Sequence, residues 1–497
     1  MNEIVIGIDF GTTGVKVARL NEFGQAVSIR NAEGDDVTPT VVAFENGETP
    51  IVGIEAYRLA LSQPEHTRMD FKLKLGADEV LYTTTSGKKH TATTLSSLVL
   101  AKLKCDAESA LGESIHAVVL TCPANFQDHQ RQALLDAAKL AGLEVRRLVP
   151  EPSAAAMAYG LQRSDQTFFV FDLGGGTFDA TVARIQGAKL DVLGTSGLPN
   201  VGGRNFDQIL MEHLLHEFEG KAGFAPDRSQ DLAFFEDARE RTEQAKVTLA
   251  TREKTTVTLG ARGKYASIEV TRDTFLRLTA SLVEQAASTC NDLLQLVGLS
   301  WSRIDKLLFV GGGSRAVGVK EAMEKASGQR VSQDIDPIRA VAFGAAIQGA
   351  IEAGGFVLDG RAIPAPKLHL TDVTAYAIGC MVDDVHLGFS NAVIVPRHSR
   401  VPSRLTKTFK LKEPQQTHAE IVLLQGNEGD PADQCLRLGQ MELSDLPAEP
   451  TMPPRIEVTL DFDKNGICSA LGKDTLSGKS AQMRIDYSKG LVGVHRN

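Results

Sequence analysis

Phe171-Asp172-Leu173-Gly174-Gly175-Gly176-Thr177-Phe178-Asp179 is the stretch on which the reading of this chain turns. The run from Phe168 to Asp172 is apolar and ends in a carboxylate. Three glycines follow, then a second apolar run through Phe178 and Val182. The pattern predicts a β-hairpin with a glycine turn. Three glycines in a purely structural turn would cost backbone entropy with nothing in return. A turn that must close on an anion needs them, because backbone N–H groups can then approach it. Thr177 adds a hydroxyl donor there, and Asp179 a second carboxylate. A carboxylate beside phosphates needs a cation between them, so Asp172 points to Mg²⁺.

The same design opens the chain. Glu3 to Leu20 reads as a hairpin with its turn at Gly11-Thr12-Thr13-Gly14 and Asp9 at the strand end. Two such hairpins, face to face, could hold the β- and γ-phosphates of a nucleotide, with Asp9 and Asp172 both turned to the metal. Two more glycine turns fit the plan: Gly202-Gly203, and Gly311-Gly312-Gly313 running through Ser314 to Arg315. No G-x-x-x-x-G-K-[ST] occurs, and no G-x-G-x-x-G opens a helix after a strand, so the site is not a P-loop. Strands Ala117 to Thr121 and Lys306 to Val310 each lead into a helical pattern, Gln130 to Ala141 and Val317 to Ala326. The two halves thus share one plan, a sign of internal duplication. Phe234 to Leu249 reads as a helix with i,i+4 pairs Asp237–Arg241 and Arg239–Glu243. Ile338 to Ala353 is an Ala-rich helix.

After it the texture changes. Gly354, Gly355, Gly360, Pro364 and Pro366 mark a linker over 356–371. Short strand signals follow at Ala375–Val382, Ala392–Val395, Thr406–Leu411, His418–Leu424, Ile456–Phe462 and Gly466–Leu471. They predict an all-β sandwich over 372–497 behind an α/β unit over 1–355. A length of 497 residues suits that division. Net charge −9 argues against a basic nucleic-acid surface. The six cysteines have no metal-binding spacing and suit a reducing compartment. Neither a signal peptide nor a long apolar run is read, so a cytoplasmic protein without membrane or nucleic-acid partners is expected.

Together these residues resemble the heat-shock protein 70 (DnaK-type) chaperones. The likeness is carried by Ile8 to Thr13, by Val149-Pro150-Glu151-Pro152-Ser153-Ala154-Ala155-Ala156-Met157-Ala158-Tyr159-Gly160, and by Asp172 to Asp179. Gly202-Gly203 and Gly311 to Arg315 extend it, as do Val422 to Gly426, Ile456 to Thr459 and Asp463 to Ile467 in the β region. It implies an actin-like two-lobed ATPase followed by a peptide-binding β-sandwich, using ATP/ADP and Mg²⁺, with K⁺ as an optional further ion. By motif position, Lys72 would meet the γ-phosphate and the attacking water. Glu151 and Asp179 would orient that water, Thr177 would touch the γ-phosphate, and Asp9 and Asp172 would hold hydrated Mg²⁺. The turns Gly11, Thr12, Thr13, Gly174, Gly175, Gly176, Gly202, Gly203, Gly311, Gly312 and Gly313 would cradle nucleotide. Glu243, Lys246 and Arg315 would take its adenosine end. Ala250 stands where the family usually has Ser, and Ile338 where it usually has an acidic residue.

The resemblance further implies coupling between the units. Pro123, Arg131 and Glu151 stand at the positions that sense the γ-phosphate. The linker Leu368-His369-Leu370-Thr371-Asp372 is less apolar than usual before its Asp. Asp128 and Arg147 are kept on the co-chaperone surface while Asn125 and Gln127 depart from it, so a dedicated J-domain partner is expected. The segment between Val257 and Thr271 is short, which speaks against one class of exchange factor. Phe409, Ala419 and Ile421 fall where the peptide groove is lined, although they equally suit sandwich core; Lys412 replaces a small apolar residue. The chain stops at Asn497, where the family's helical lid would follow, and faster peptide release is expected. The features suit a specialised bacterial branch and a monomer that binds extended polypeptide. Two other readings stay open: a small-molecule kinase on the same fold, and a nucleotide-switched scaffold or exchange factor.

Overall fold

In the computed structural model, which describes residues 4–161, 165–332, 334, 336–358, 361–384 and 388–484, the decisive stretch is the expected hairpin. Gln166–Leu173 and Phe178–Gln186 pair antiparallel, with Asp172 opposite Asp179. Lys306–Val310 lies parallel beside the first of them, Val331–Ser332 beyond it, and Lys189–Leu198 on the other flank. The N-terminal sheet has the same order: Glu144–Pro150, Ala117–Cys122, Val5–Phe10, Gly14–Leu20 and Ala26–Ile29. The repeated plan read from the sequence is thus a repeated sheet topology. Val5–Phe10 is buried along its whole length. That is why such strands read as apolar runs rather than alternations.

Helix Ala340–Glu352 joins the two halves, and its small residues are a packing requirement. A Cβ on Gly344 would stand 1.7 Å from the carbonyl oxygen of Ala154, and one on Gly7 would stand 2.1 Å from the amide nitrogen of Ala346. Helix Ala340–Glu352 therefore touches helix Glu151–Gly160 and strand Val5–Phe10 backbone to backbone. The outer part of the second lobe carries helices Gly203–Ala222, Leu232–Leu249 and Arg272–Leu296 with the hairpin Lys254–Ala261/Lys264–Thr271. On Leu232–Leu249 the Asp237–Arg241 pair forms at 2.7 Å. The expected Arg239–Glu243 pair is replaced: Arg239 reaches back one turn to Glu236 at 2.9 Å.

The expected linker carries structure. Phe356–Leu358 and Arg361–Ile363 form a small hairpin. His369–Val373 adds to the second sheet, parallel to Lys189–Leu198, and pairs antiparallel with Arg400–Val401. Gly354, Gly355, Pro364 and Pro366, which signalled a linker, stand in the connections before and between these strands. Residues 359–360, and 485–497 of the expected 372–497 unit, lie outside the described residues. Beyond Val373 two four-stranded sheets stack as a sandwich. One is ordered Gly388–Val395, Ile378–Asp384, Ala419–Gln425, Leu436–Leu443; the other is Ser403–Lys410, Pro454–Phe462, Cys468–Asp474, Ser480–Arg484. Leu436–Leu443 and Ser480–Arg484 were not read from the sequence. In the former, Leu436 and Leu438 alternate, then the phase slips past Gly439 to Met441 and Leu443, opposite a register shift between Leu423 and Leu424.

Candidate functional site

Four glycine turns converge at the sheet ends. A Cβ on Gly175 would lie 2.6 Å from Thr13 Cγ2, and one on Gly176 would lie 3.3 Å from Thr12 Oγ1, so the two glycine turns face each other. Gly203 N and Arg204 N donate to the carbonyls of Gly174 and Gly175, both at 2.9 Å. Gly202 lies so close that a Cβ there would meet the Gly176 backbone at 2.6 Å. Gly311, at φ +79°, lies over Leu173 O and Asp172 Oδ1; a side-chain residue would be strained there as well as obstructed.

Between the turns lies a buried group of carboxylates and lysines. Lys72, on the short 3₁₀ turn Phe71–Lys74, is 2% exposed and donates to Glu151 Oε1 at 2.7 Å. Glu151, which between two prolines reads as a loop residue, is instead the first residue of helix Glu151–Gly160. Burial raises its pKa against the pull of Lys72. Asp172 and Asp179 are buried, and Asp172 Oδ2 and Asp179 Oδ1 have no hydrogen-bond partner among the described residues. Burial, reinforced by Glu151, Asp179 and Asp9, pushes Asp172 well above the usual carboxylate range. Thr177 is buried immediately before the second strand. Asp9 is engaged by a residue the sequence reading missed: Lys16 donates to its Oδ2 at 2.8 Å. Burial opposes the charge on Lys16, but pairing with Asp9 prevails and raises its pKa. The signal for it was the hairpin register, which sets Asp9 opposite Lys16.

The orphaned oxygens suit a hydrated cation. Among the described residues no three His, Cys, Asp or Glu are grouped to ligate a metal directly. Two strand-end carboxylates acting through water remain compatible with Mg²⁺, which keeps most of its waters.

Asp179 carries a pH consequence. Burial, then Glu151, pushes its pKa up to about 8. Its unfolded value is about 3.9, so the native state holds this proton more tightly. Stability from this group is full below the unfolded value and is lost as pH rises toward the folded one. Asp179→Asn removes the dependence. Denaturant midpoints of the nucleotide-free protein at about pH 5.5 and about pH 8.5 should therefore differ more in wild type than in the variant. Equal differences would exclude this assignment.

Where the resemblance places adenosine, a cleft of about 650 Å³ is lined by Ala250, Arg272, Phe309, Arg315, Asp336 and Pro337. That volume is in the range of small-ligand sites. Arg315 pairs with Asp336 at 3.3 Å and stays half exposed. Lys246 does not bond Glu243, its neighbour one turn away. It donates to Asp207 at 2.7 Å and to Gly203 O at 3.2 Å. Ile338 does not appear in the cleft lining; its N–H caps Asp336 Oδ1 at 2.9 Å.

Of the residues expected to couple the units, Arg131 contacts the sandwich directly. Arg131 is buried and donates to Phe126 O at 3.1 Å, Ala124 O at 3.3 Å and, across the contact, Asn465 O at 3.3 Å. Asp372 is buried with Ser153 Oγ 3.4 Å from its carboxylate. Arg147 stands 3.8 Å from Glu352. Pro123 is buried in the loop after Ala117–Cys122. Asp128, expected on an accessible co-chaperone surface, is buried and accepts from Cys468 N at 2.7 Å. Residues missed here are Tyr376, donating to Asn125 O at 3.0 Å, and His398, whose Nε2 is 2.9 Å from Thr195 O. In the sandwich, Ala419 and Ile421 belong to the hydrophobic core and Phe409 packs against it. Of their two sequence readings, burial favours core. Lys412 is exposed and pairs with Asp383 at 2.9 Å.

A duplicated α/β sheet with opposed glycine turns over buried carboxylates, continued by a β-sandwich, defines an actin-like nucleotide-site protein with an appended β unit. The family model described as Hsp70 protein matches residues 5–80 and 76–494, and the chain belongs to the Hsp70 family. Members of this family are chaperone ATPases that bind ATP or ADP with Mg²⁺, unfolded polypeptide and J-domain co-chaperones. No helix among the described residues is long and apolar enough to cross a membrane.

Proposed function

We propose that this chain is an ATP-dependent chaperone in which MgATP binding and slow hydrolysis by residues 1–355 control capture and release of extended apolar peptide by 372–497, through 356–371. One observation carries the reading: two orphaned, buried carboxylate oxygens stand beside the Lys72–Glu151 pair, between two facing glycine turns. Mg²⁺, when bound, neutralises charge between the carboxylates and the phosphates. Asp172 and Asp9 are the residues that would hold it. Backbone N–H groups of Gly11 to Thr13 and Gly174 to Gly176 donate to phosphate oxygens. Gly202-Gly203 and Gly311 to Gly313 back these turns, while Glu243, Lys246 and Arg315 take the adenosine.

Lys72 holds the attacking water against the γ-phosphate, Glu151 and Asp179 accept that water's hydrogen bonds, and Thr177 donates to the γ-phosphate. Water then displaces ADP in line, and positioning with electrostatics supplies most of the rate. Coupling follows from helix Glu151–Gly160: its first residue faces the reaction and its Ser153 faces Asp372 on the docked strand. Arg131, Pro123 and Arg147 complete that path, and release of Asp128 from Cys468 would free a surface for a J-domain partner. Six free cysteines suit action in the cytoplasm.

The test is steady-state ATPase with Mg²⁺ on the full chain, with and without an extended apolar peptide. Severalfold stimulation by peptide supports a coupled chaperone. Hydrolysis that ignores peptide would leave a nucleotide switch with a docking module and overturn the coupled reading.

A further inference from the structure

The contact between Lys16 and Asp9 has no place in the roles above, and it falls at the phosphate end of the cleft. Cross-strand register brings the two residues together on the first hairpin. Their side chains are 18% and 7% exposed, unlike the strand-to-strand ion pair Lys254–Glu269 on the second lobe, at 65% and 54%. The Lys16 ammonium also stands 3.8 Å from where a Cβ of Gly11 would project, so it lies against the first glycine turn itself. Asp9 Oδ2 accepts from this ammonium at 2.8 Å. An ammonium has three N–H donors, so donors are left for a ligand in the turn.

Charge makes the placement consequential. Asp9, Glu151, Asp172 and Asp179 are buried here with two ammonium groups, Lys16 and Lys72. Lys72 is committed to Glu151 and Lys16 to Asp9, which leaves Asp172 and Asp179 with the orphaned oxygens. An incoming polyphosphate adds negative charge. A divalent cation offsets it on the Asp172 side; on the Asp9 side the chain carries its own cation.

We propose that Lys16 is a phosphate-binding residue of this cleft, its ammonium held by Asp9 and donating to a non-bridging phosphate oxygen of the nucleotide. Diphosphate binding then keeps much of its strength when divalent cation is withdrawn. This rests on the nucleotide reading and names a residue that reading leaves unassigned. One charge-assisted hydrogen bond of this kind corresponds to about ten- to a hundredfold in affinity.

The experiment is calorimetric titration of the full chain with adenosine and with ADP, each in Mg²⁺ and in EDTA, for wild type, Lys16→Met and Lys16→Gln. Both variants should bind adenosine like wild type, which establishes that the cleft is folded. In EDTA their ADP affinity should fall about ten- to a hundredfold. In Mg²⁺ the fall should be smaller, because Asp9 is released to help hold the metal. Unchanged ADP affinity in EDTA would overturn the proposal and leave Lys16 a strand-pair residue. Equal losses for adenosine and ADP in both variants would overturn it too, since the lysine would then act through the fold. Wild type that binds neither ligand would instead sink the nucleotide reading.

Discussion

Lys72→Ala should lower single-turnover ATP hydrolysis by at least about a hundredfold while leaving ATP bound. Removing one preorganised electrostatic partner from a water-excluded site has an effect of this size. Lys72 lies on an element distinct from every glycine turn, and its contact is Glu151, so the turns should still hold the phosphates. Hydrolysis suffers twice. The water loses its cation, and Glu151 loses the partner that keeps its pKa from rising further. A Glu151 that takes up a proton accepts less well from the water it should orient. Glu151 can discharge by taking up a proton, which limits the stability loss to less than the cost of a stranded charge. Lys72→Arg should not rescue, because a planar fork does not fit a space shaped for a point charge. Protein in excess over ATP, quenched over time, measures the chemical step, and calorimetry measures binding. Turnover within threefold of wild type would remove Lys72 from the reaction.

Much of this site was legible because its chemistry is local in sequence. A strand-end carboxylate followed by a glycine turn is one continuous stretch, so both hairpins and the duplication could be read directly. What escaped depends on residues meeting across the fold. Lys16 looks like a solvated strand lysine until the register sets it against Asp9. Lys246 has Glu243 one turn away on its own helix, but the packing of helix Gly203–Ala222 brings it Asp207 instead. His369–Val373 is too short to stand out between prolines and glycines, and its partner Lys189–Leu198 lies some 180 positions earlier. Only the assembled sheet offers it a hydrogen-bonding edge. Asp128 was placed on the co-chaperone surface by the resemblance, and nothing near it in sequence indicates that Cys468 N donates to it.

The largest stability effect should come from the sandwich. Arg455 grips Asp474 in two bonds, Nε to Oδ1 at 2.6 Å and Nη2 to Oδ2 at 2.8 Å, with side-chain exposures of 1% and 0%. Its remaining guanidinium nitrogen donates to Pro447 O at 2.9 Å, and Asp474 also accepts from Ser477 N at 2.8 Å. Both residues are on the paired strands Pro454–Phe462 and Cys468–Asp474, so a fully satisfied ion pair is built into that sheet. Removing one member strands the other's charge, which costs about 3–5 kcal/mol. Arg455→Leu should therefore destabilise the sandwich by about that much, and Asp474→Leu by a similar amount. The double variant should recover a large part, since two apolar groups leave no buried charge unpaired. Asp474, held below the usual carboxylate range first by Arg455, gives the sign with pH. Its contribution is full above the unfolded value of about 3.9 and is lost as pH falls below that toward the folded pKa. Trp301, the single tryptophan, sits on the second lobe beside Phe169 and does not report on the sandwich. Calorimetry with amide exchange of Pro454–Phe462 is the measurement. A single-variant loss below about 1 kcal/mol would mean the pair is only a surface-grade interaction.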